Sequence, residues 1–417
     1  MDLRIFALVP THRNNGPYVT PWAASVALAA AVTSSVACQP EGTPAKPSPS
    51  VAPSDSVSIS AGKSTQARRP KQLPLARELV DIPGGAFTAG TRPGRPGRQP
   101  ALEPRSYRVE LGPYQIDKLP YPNDPKLPPL VGVTRAEATR HCAERGARLC
   151  TELEWERACK GPLDDLYPSG DKWQDDCTTS AGRCASGFEV LGLGTVVREW
   201  TASDVLDPTK NESRGAAVRG GGPVSRAAVH RCSRRQVADA ETSANDLGFR
   251  CCSGAPNAAK VPEPKLGPTF RKKPLKSARL EQLLASHPRT KRLAKDVKFF
   301  REPDAANTVV ARGPGDRKGF SFTVAPMIWN PAPGAEYLLV SARSGKDTSF
   351  VVAYHVAGDD DYVLAASFVM ENEPGPIAFA YSDYIRPRLH FSDCWGCLGE
   401  TGKILFREPD SVAILQP

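Results

Sequence analysis

Eleven cysteines are the feature that most restricts how this 417-residue chain can fold. A thiol count of that size is unusual in a reducing cytosol and ordinary in an oxidising compartment, where cysteines pair and each pair closes a loop. Closing a loop of roughly 100 residues is worth about 4–5 kcal/mol in the chain-entropy account. A chain stapled in this way can carry long loops and little regular structure. Eight of the cysteines fall between Cys142 and Cys252, Cys38 stands alone near the start, and Cys394 and Cys397 close the series. The number is odd, so one thiol needs a different fate.

The amino-terminal region supplies one. Arg4 and Arg13 precede an uncharged run rich in Ala and Val from Trp22 to Ala37, which ends Ser35-Val36-Ala37-Cys38. A charged start, an apolar stretch and small residues before a cut describe an export signal, and the run is shorter than the roughly 20 residues of a spanning helix. A cysteine directly after small residues resembles a bacterial lipobox, which assigns 1–38 to a signal peptide and Cys38 to lipidation. Ser35 departs from the usual aliphatic residue there, and a plain secretory signal cut nearby or an uncleaved anchor are the alternatives. Residues 39–77 are Pro, Ser and Ala with few large apolar side chains, a disordered tether. The implied location is exported: a membrane-anchored lipoprotein, or a periplasmic or extracellular protein.

The 41 prolines cluster at 40–74, 92–130 and 262–274, in loops and linkers. Much of the net charge of +9 sits there too, at Arg68, Arg69 and Lys71 and again at Lys265, Arg271, Lys272, Lys273, Lys276 and Arg279. A solvated tether explains these runs, with contact to an anionic surface as the sharper reading. No aromatic residues interleave them, so no nucleic-acid partner is expected.

From Leu79 the pattern changes. Leu79 to Phe87 reads as a strand, a Pro-Gly-Gly turn and a second strand. Thr134 and Thr151 each precede a helix, with Glu137 and Glu154 three residues on, the spacing of a capping box. The first helix is predicted to run to about Arg145 and stop at Gly146.

Six motifs in order over 79–254 then resemble the formylglycine-generating enzyme, or sulfatase-modifying factor, family. Ile82-Pro83-Gly84-Gly85-Ala86-Phe87 resembles its entry. Gly146-Ala147-Arg148-Leu149-Cys150-Thr151-Glu152-Leu153-Glu154-Trp155-Glu156 resembles Gly-x-Arg-Leu-Pro-Thr-Glu-x-Glu-Trp-Glu, with Cys150 for Pro. Tyr167-Pro168-Ser169-Gly170-Asp171 follows, then Arg198-Glu199-Trp200-Thr201, Arg219-Gly220-Gly221-Gly222 and Leu247-Gly248-Phe249-Arg250-Cys251. The resemblance implies an irregular α+β, C-type-lectin-like fold for 78–255. It also implies disulfides Cys142–Cys251 and Cys159–Cys232. Cys177 and Cys184 are then close enough for a local loop, which leaves Cys150 with Cys252.

The departures bear on function. The family oxidises a substrate cysteine with a copper-binding cysteine pair that lies between Arg-Gly-Gly-Ser and the position of Cys232. Thiolates suit that role as soft ligands. Here Gly222 to Arg231 contains no cysteine, and Ala227 stands where the second would fall. Copper and formylglycine chemistry are therefore not expected, nor any other resident cofactor except calcium. In the family's calcium loop only Glu199 survives as a side-chain ligand, beside Arg198. The candidate cleft is Gly221, Gly222, Ser225, Arg226 and His230. The Gly192-x-Gly194 pair has no third glycine to make a nucleotide loop.

Residues 256–278 read as a Pro/Lys linker and 279–417 as a separate β-rich domain, a sandwich or barrel of no recognised family. It opens with a short amphipathic helix from Leu280. Strands are predicted over 321–324, 337–342, 349–356, 362–370, 377–381 and 404–407. Asp359 to Asp361 read as a solvated turn, and Cys394–Cys397 as a small structural disulfide rather than a redox or zinc site.

These readings point to a non-catalytic binding or interaction protein of the cell envelope, anchored through its lipid and acting on an envelope ligand or protein. The alternatives are an enzyme with non-cysteine chemistry at the same cleft and a structural envelope component. A deep cleft under 221–230 would favour a ligand; a filled one would favour a structural role.

Overall fold

A computed structural model describes residues 78–417 except 180–183, 225, 268, 303–320, 374, 383–387, 393–401 and 416–417. Cys38, the tether, Ser225 and the Cys394–Cys397 pair lie outside the described residues.

The amino-terminal half follows from short apolar strands tied together by cysteines. Leu79–Ile82, Tyr114–Asp117, Cys251–Ser253 and Arg148–Leu149 form one four-stranded sheet in that order. A second contains Arg235–Ala238, Ser213–Arg219, Arg198–Leu206 and Leu247–Phe249, the last pair parallel. Gly85–Ala89 and Tyr107–Leu111 pair as a separate ribbon.

Helix α1 spans Arg135–Ala143 and helix α2 spans Glu152–Lys160. Both carry complete capping boxes, from Thr134 with Glu137 and from Thr151 with Glu154. Helix α1 ends two residues before the predicted Arg145, and Gly146 follows at φ +67°. Every residue of α2 is buried, its charged ones included. One face is apolar: Trp155 and Ala158 enter a cluster with Ile82, Tyr114, Ile116 and Leu193, while Leu153 packs with Phe87 and Leu111.

Four disulfides staple these pieces: Cys142–Cys251, Cys150–Cys252, Cys159–Cys232 and Cys177–Cys184. Adjacent Cys251 and Cys252 point to opposite faces of their strand, as the pleat requires. One reaches α1 and the other the residue before Thr151. Together they clamp both helices to a single three-residue strand.

The carboxy-terminal half is a β-sandwich. Its first sheet runs Phe270–Lys272, Met327–Ala332, Ala335–Ser344, Thr348–Val356 and Tyr362–Glu371, with Val297–Phe299 added beside Ala335–Ser344. The second contains Ser321–Thr323, Ala378–Ser382, Arg388–Ser392, Gly402–Arg407 and Ser411–Leu415. Alternation along Thr348–Val356 explains the layering. Val351 and Ala353 face the second sheet, while Phe350, Val352 and Tyr354 face helix α3, Ser277–Ala285. A strand buried on both faces reads as a continuous apolar run.

The predicted separation of the two halves is not what forms. The described residues make one compact unit. The 256–278 segment is a strap. Asn257 donates to the Glu154 carboxylate at 2.9 Å, Val261 is buried, and Glu263 receives Arg235 at 2.7 Å. Phe270–Lys272 is itself a strand of the sandwich. Above it, Arg98 pairs with Asp410 at 2.7 Å, both nearly inaccessible, and Tyr337 donates to the same carboxylate at 2.9 Å. Charged groups leave water only when paired, so this contact fixes the two halves together.

Cys159→Ser and Cys232→Ser should each cost about 2–5 kcal/mol, and the double variant should be no worse than the worse single one, because both remove one bond. Denaturant unfolding of the three variants tests this; additive losses would place the two cysteines in different bridges.

Candidate functional site

Strand Ser213–Arg219 leads directly into the candidate cleft. At its end the backbones of Gly220 and Gly194 touch, both at positive φ, and neither position has room for a Cβ. The Gly194 carbonyl accepts from Gly221 N at 2.8 Å and Gly222 N at 3.0 Å. The Gly192-x-Gly194 pair therefore serves a close backbone crossing. Gly221 is constrained from the other side, since a Cβ there would lie 2.6 Å from Val229 Cγ2 and 2.8 Å from His230 Cε1.

His230 fills the space beneath the loop. It is 2% exposed, and its ring lies flat on Trp173, centroids 4.1 Å apart and planes 2° from parallel. Nε2 is hydrogen-bonded to the Val224 carbonyl, and Nδ1 has no partner among the described residues. Burial holds its pKa below the ordinary 6.5, against the pull of the backbone carbonyls. Ala227 opens a short 3-10 turn, Ala227–Val229, and Arg226 is exposed.

The candidate residues Gly221, Gly222, Arg226 and His230 thus share one loop, and among the described residues the space beneath Gly221 is taken up by Val229 and His230. Cavities of about 550, 450 and 320 Å3 lie elsewhere. The first of these sits between the halves, lined by Arg105, Tyr107, Lys265, Glu336 and Asp359. A filled loop is the outcome that favours a structural use of 220–230.

Glu199, expected as a calcium ligand, has another role. Its carboxylate is wholly buried and accepts four bonds: Arg250 Nε at 2.6 Å and NH2 at 2.9 Å, Trp155 Nε1 at 2.8 Å, and Gly194 N at 3.0 Å. Calcium needs six or more free oxygens in an open shell, and these two are committed. Arg198 does not crowd it; that side chain turns to Asp246, with two bonds at 2.6 and 2.7 Å. Among the described residues no group of three or more His, Cys, Asp or Glu could hold a metal. Asp360 and Asp361 face Arg279 and Arg92, as a solvated turn does.

Sequence reasoning missed the ionic core. Glu152 accepts from Arg219 at 3.0 Å and from Arg235 at 2.8 Å, Glu156 accepts from Arg219 at 3.1 Å, and Glu263 accepts from Arg235. Arg231 pairs with Glu103 at 2.6 Å. Glu152, Glu156 and Arg219 lie within the quoted motifs. A motif glutamate on a helix with no exposed face was the available signal.

Residues 121–194 match the family described as the sulfatase-modifying factor enzyme 1-like domain. The inactive C-alpha-formylglycine-generating enzyme 2 of Bos taurus is 32% identical over 152 residues, covering 30% of this chain and 50% of that protein. The formylglycine-generating enzyme of Bos taurus is 27% identical over 163 residues, covering 30% and 44%. The chain spans about half the length of the curated relatives it matches. Among solved structures, PvdO from Pseudomonas aeruginosa aligns over 42% of this chain and 94% of its own, with 19% identity and a TM-score of 0.34. Residues 121–194 are thus of the sulfatase-modifying-factor type, and they hold two of the six motifs, Gly146 to Glu156 and Tyr167 to Asp171.

Two outcomes follow from the geometry. Glu199→Gln should cost about 3–5 kcal/mol by stranding the buried Arg250 charge, and chelation of calcium should leave the wild-type Tm unchanged. His230 and His355 both have pKa values lowered by burial. Each is neutral in the fold and protonates more readily when unfolded, so the stability it contributes is intact above about pH 6.5 and falls as the pH drops below that value. Denaturation midpoints between pH 5 and 7.5 should show this fall, and His230→Phe should make it shallower.

Proposed function

We propose that this protein is a non-catalytic binding or interaction protein of the cell envelope, built on a sulfatase-modifying-factor-type domain. The carrying observation is the loop from Gly220 to Arg231. It has no cysteine, and its interior is occupied by His230 against Trp173. The family's chemistry, as the resemblance implies it, needs two thiolates and a copper ion at that place. One imidazole buried between Val224 and Trp173 supplies neither the soft donor pair nor an open coordination position. The relative whose name marks it as inactive lends support, since a chain of this type without activity has a counterpart.

The envelope location draws on the cysteines. Four disulfides fit an oxidising compartment. No helix among the described residues is long and apolar enough to cross a membrane. In this reading export uses the signal ending at Cys38, and a lipid on that residue holds the folded part at a membrane. The partner is an envelope ligand or protein met by exposed loops, not by a cavity under the former catalytic loop.

A second reading, a structural envelope component without a discrete ligand, is favoured by that filled loop. Saturable binding of any envelope fraction that survives competition would separate the two.

The purified chain should not convert a sulfatase-type cysteine peptide to formylglycine with or without added copper. Aldehyde capture followed by mass analysis checks this, and aldehyde product above the peptide-only background would sink the non-catalytic reading.

A further inference from the structure

The cavity of about 550 Å3 lies where the two halves meet, and no residue of the 220–230 loop lines it. Its walls are fixed by the backbone. The turns after Ala332 and after Val356 stand at the same end of the first sandwich sheet, since Tyr337 pairs with His355. The strap docks on the first of these turns. Gly334 N donates to the Lys265 carbonyl at 3.3 Å, and Arg98 donates to the Gly334 carbonyl at 3.2 Å. Arg105, from the amino-terminal half, reaches Glu336 Oε2 at 2.9 Å, and Arg271 reaches Oε1 of the same carboxylate at 3.4 Å. A space of this size, held open between two packed units, is the usual place for a small ligand.

Most of the charge around it is spent. Arg105 and Glu336 hold each other, and Glu263 takes Arg235 at 2.7 Å. In the turn after Val356, Asp360 takes Arg279 at 3.1 Å and Asp361 takes Arg92 at 2.9 Å. Lys265 and Asp359 are different. Both line the cavity, both are exposed, and neither side chain has an ion pair or hydrogen bond among the described residues. One belongs to the strap and the other to a sandwich turn. A free cation and a free anion thus line one space from separate elements, and Pro104, Pro262 and Pro264 add apolar wall.

We infer that this cavity binds a short peptide with both termini free, its carboxylate at Lys265 and its ammonium at Asp359. A ligand with one charge would answer one of these side chains and leave the other unused. A single amino acid carries both charges but leaves much of the space empty. Each contact is open to water and therefore modest. The walls are already in place, which lowers the ordering cost of binding. The site uses no part of the 220–230 loop, so it holds whether or not that loop is catalytically silent.

The test uses the full chain and three probes: trialanine, N-acetyl-trialanine, which lacks the ammonium, and trialanine amide, which lacks the carboxylate. Binding is titrated by saturation-transfer NMR. Trialanine should bind saturably and each capped probe about threefold to fivefold more weakly, the change for one exposed charge contact. Asp359→Asn should weaken trialanine by the same factor and leave N-acetyl-trialanine unchanged. Lys265→Gln should weaken trialanine and leave the amide unchanged. Should a variant lower the Tm, the three probes on the wild-type chain decide alone. The inference is overturned by the absence of saturable binding, by equal affinity for the three probes, or by variants that bind as wild type. A loss in either variant that does not follow the matching end of the probe overturns it as well.

Discussion

The amino-terminal half depends on one buried carboxylate. Glu152 sits at the first turn of α2 and receives Arg219 from one strand and Arg235 from the next. Arg235 then reaches Glu263 on the strap, and Arg219 reaches Glu156 one turn along α2. A helix, two strands and the connection to the second half therefore meet at a single acidic side chain. Replacing such a cluster with apolar groups need not weaken a fold, but breaking one member strands the others in a medium that cannot solvate them. The arrangement suits a domain with short strands, where backbone ladders alone fix few crossing angles. The guanidinium fork supplies directional contacts that apolar packing does not.

Disulfides and ion pairs divide the work. The disulfides limit how far the unfolded chain can spread. The ion pairs act in the native state, where they choose one geometry among those that the covalent links permit. The glycines at 194, 220 and 221 complete the set, because two backbones can cross there only without Cβ atoms. The crossing is covered by His230, stacked on Trp173.

Much of the fold was legible because its signals are local. Capping boxes at Thr134 and Thr151 announce themselves within four residues, and the strands from Tyr337 to Met370 show long apolar runs. Strands at Met327–Ala332, Arg388–Ser392 and Ser411–Leu415 escaped: the first contains Pro331, and the others are short and of mixed polarity. The site was less legible. Glu199 has the right chemistry for calcium in isolation, and only the fold shows that Arg250, fifty-one positions away, takes both its oxygens. Arg234 reads in sequence as one more basic residue. That its buried Nε has no partner among the described residues is a three-dimensional fact. The linker over 256–278 was misread for a related reason, since proline-rich composition describes a strap lying on a surface as well as a free tether.

The Arg98–Asp410 contact has a consequence for how such a protein can change over time. Asp410 lies in the hairpin before the last strand and Arg98 in a loop near the start of the folded part, and both are nearly sealed from water. Gly334 meets the Pro100 carbonyl in the same place, with no space for a larger residue. The sandwich is therefore not a portable module. Moved to another chain it would carry Asp410 without its guanidinium partner, held by Tyr337 and His355 alone, and the remaining half would carry Arg98 without its carboxylate. The two halves are bound to a common inheritance, and substitutions at one end of the sequence set what is tolerated at the other.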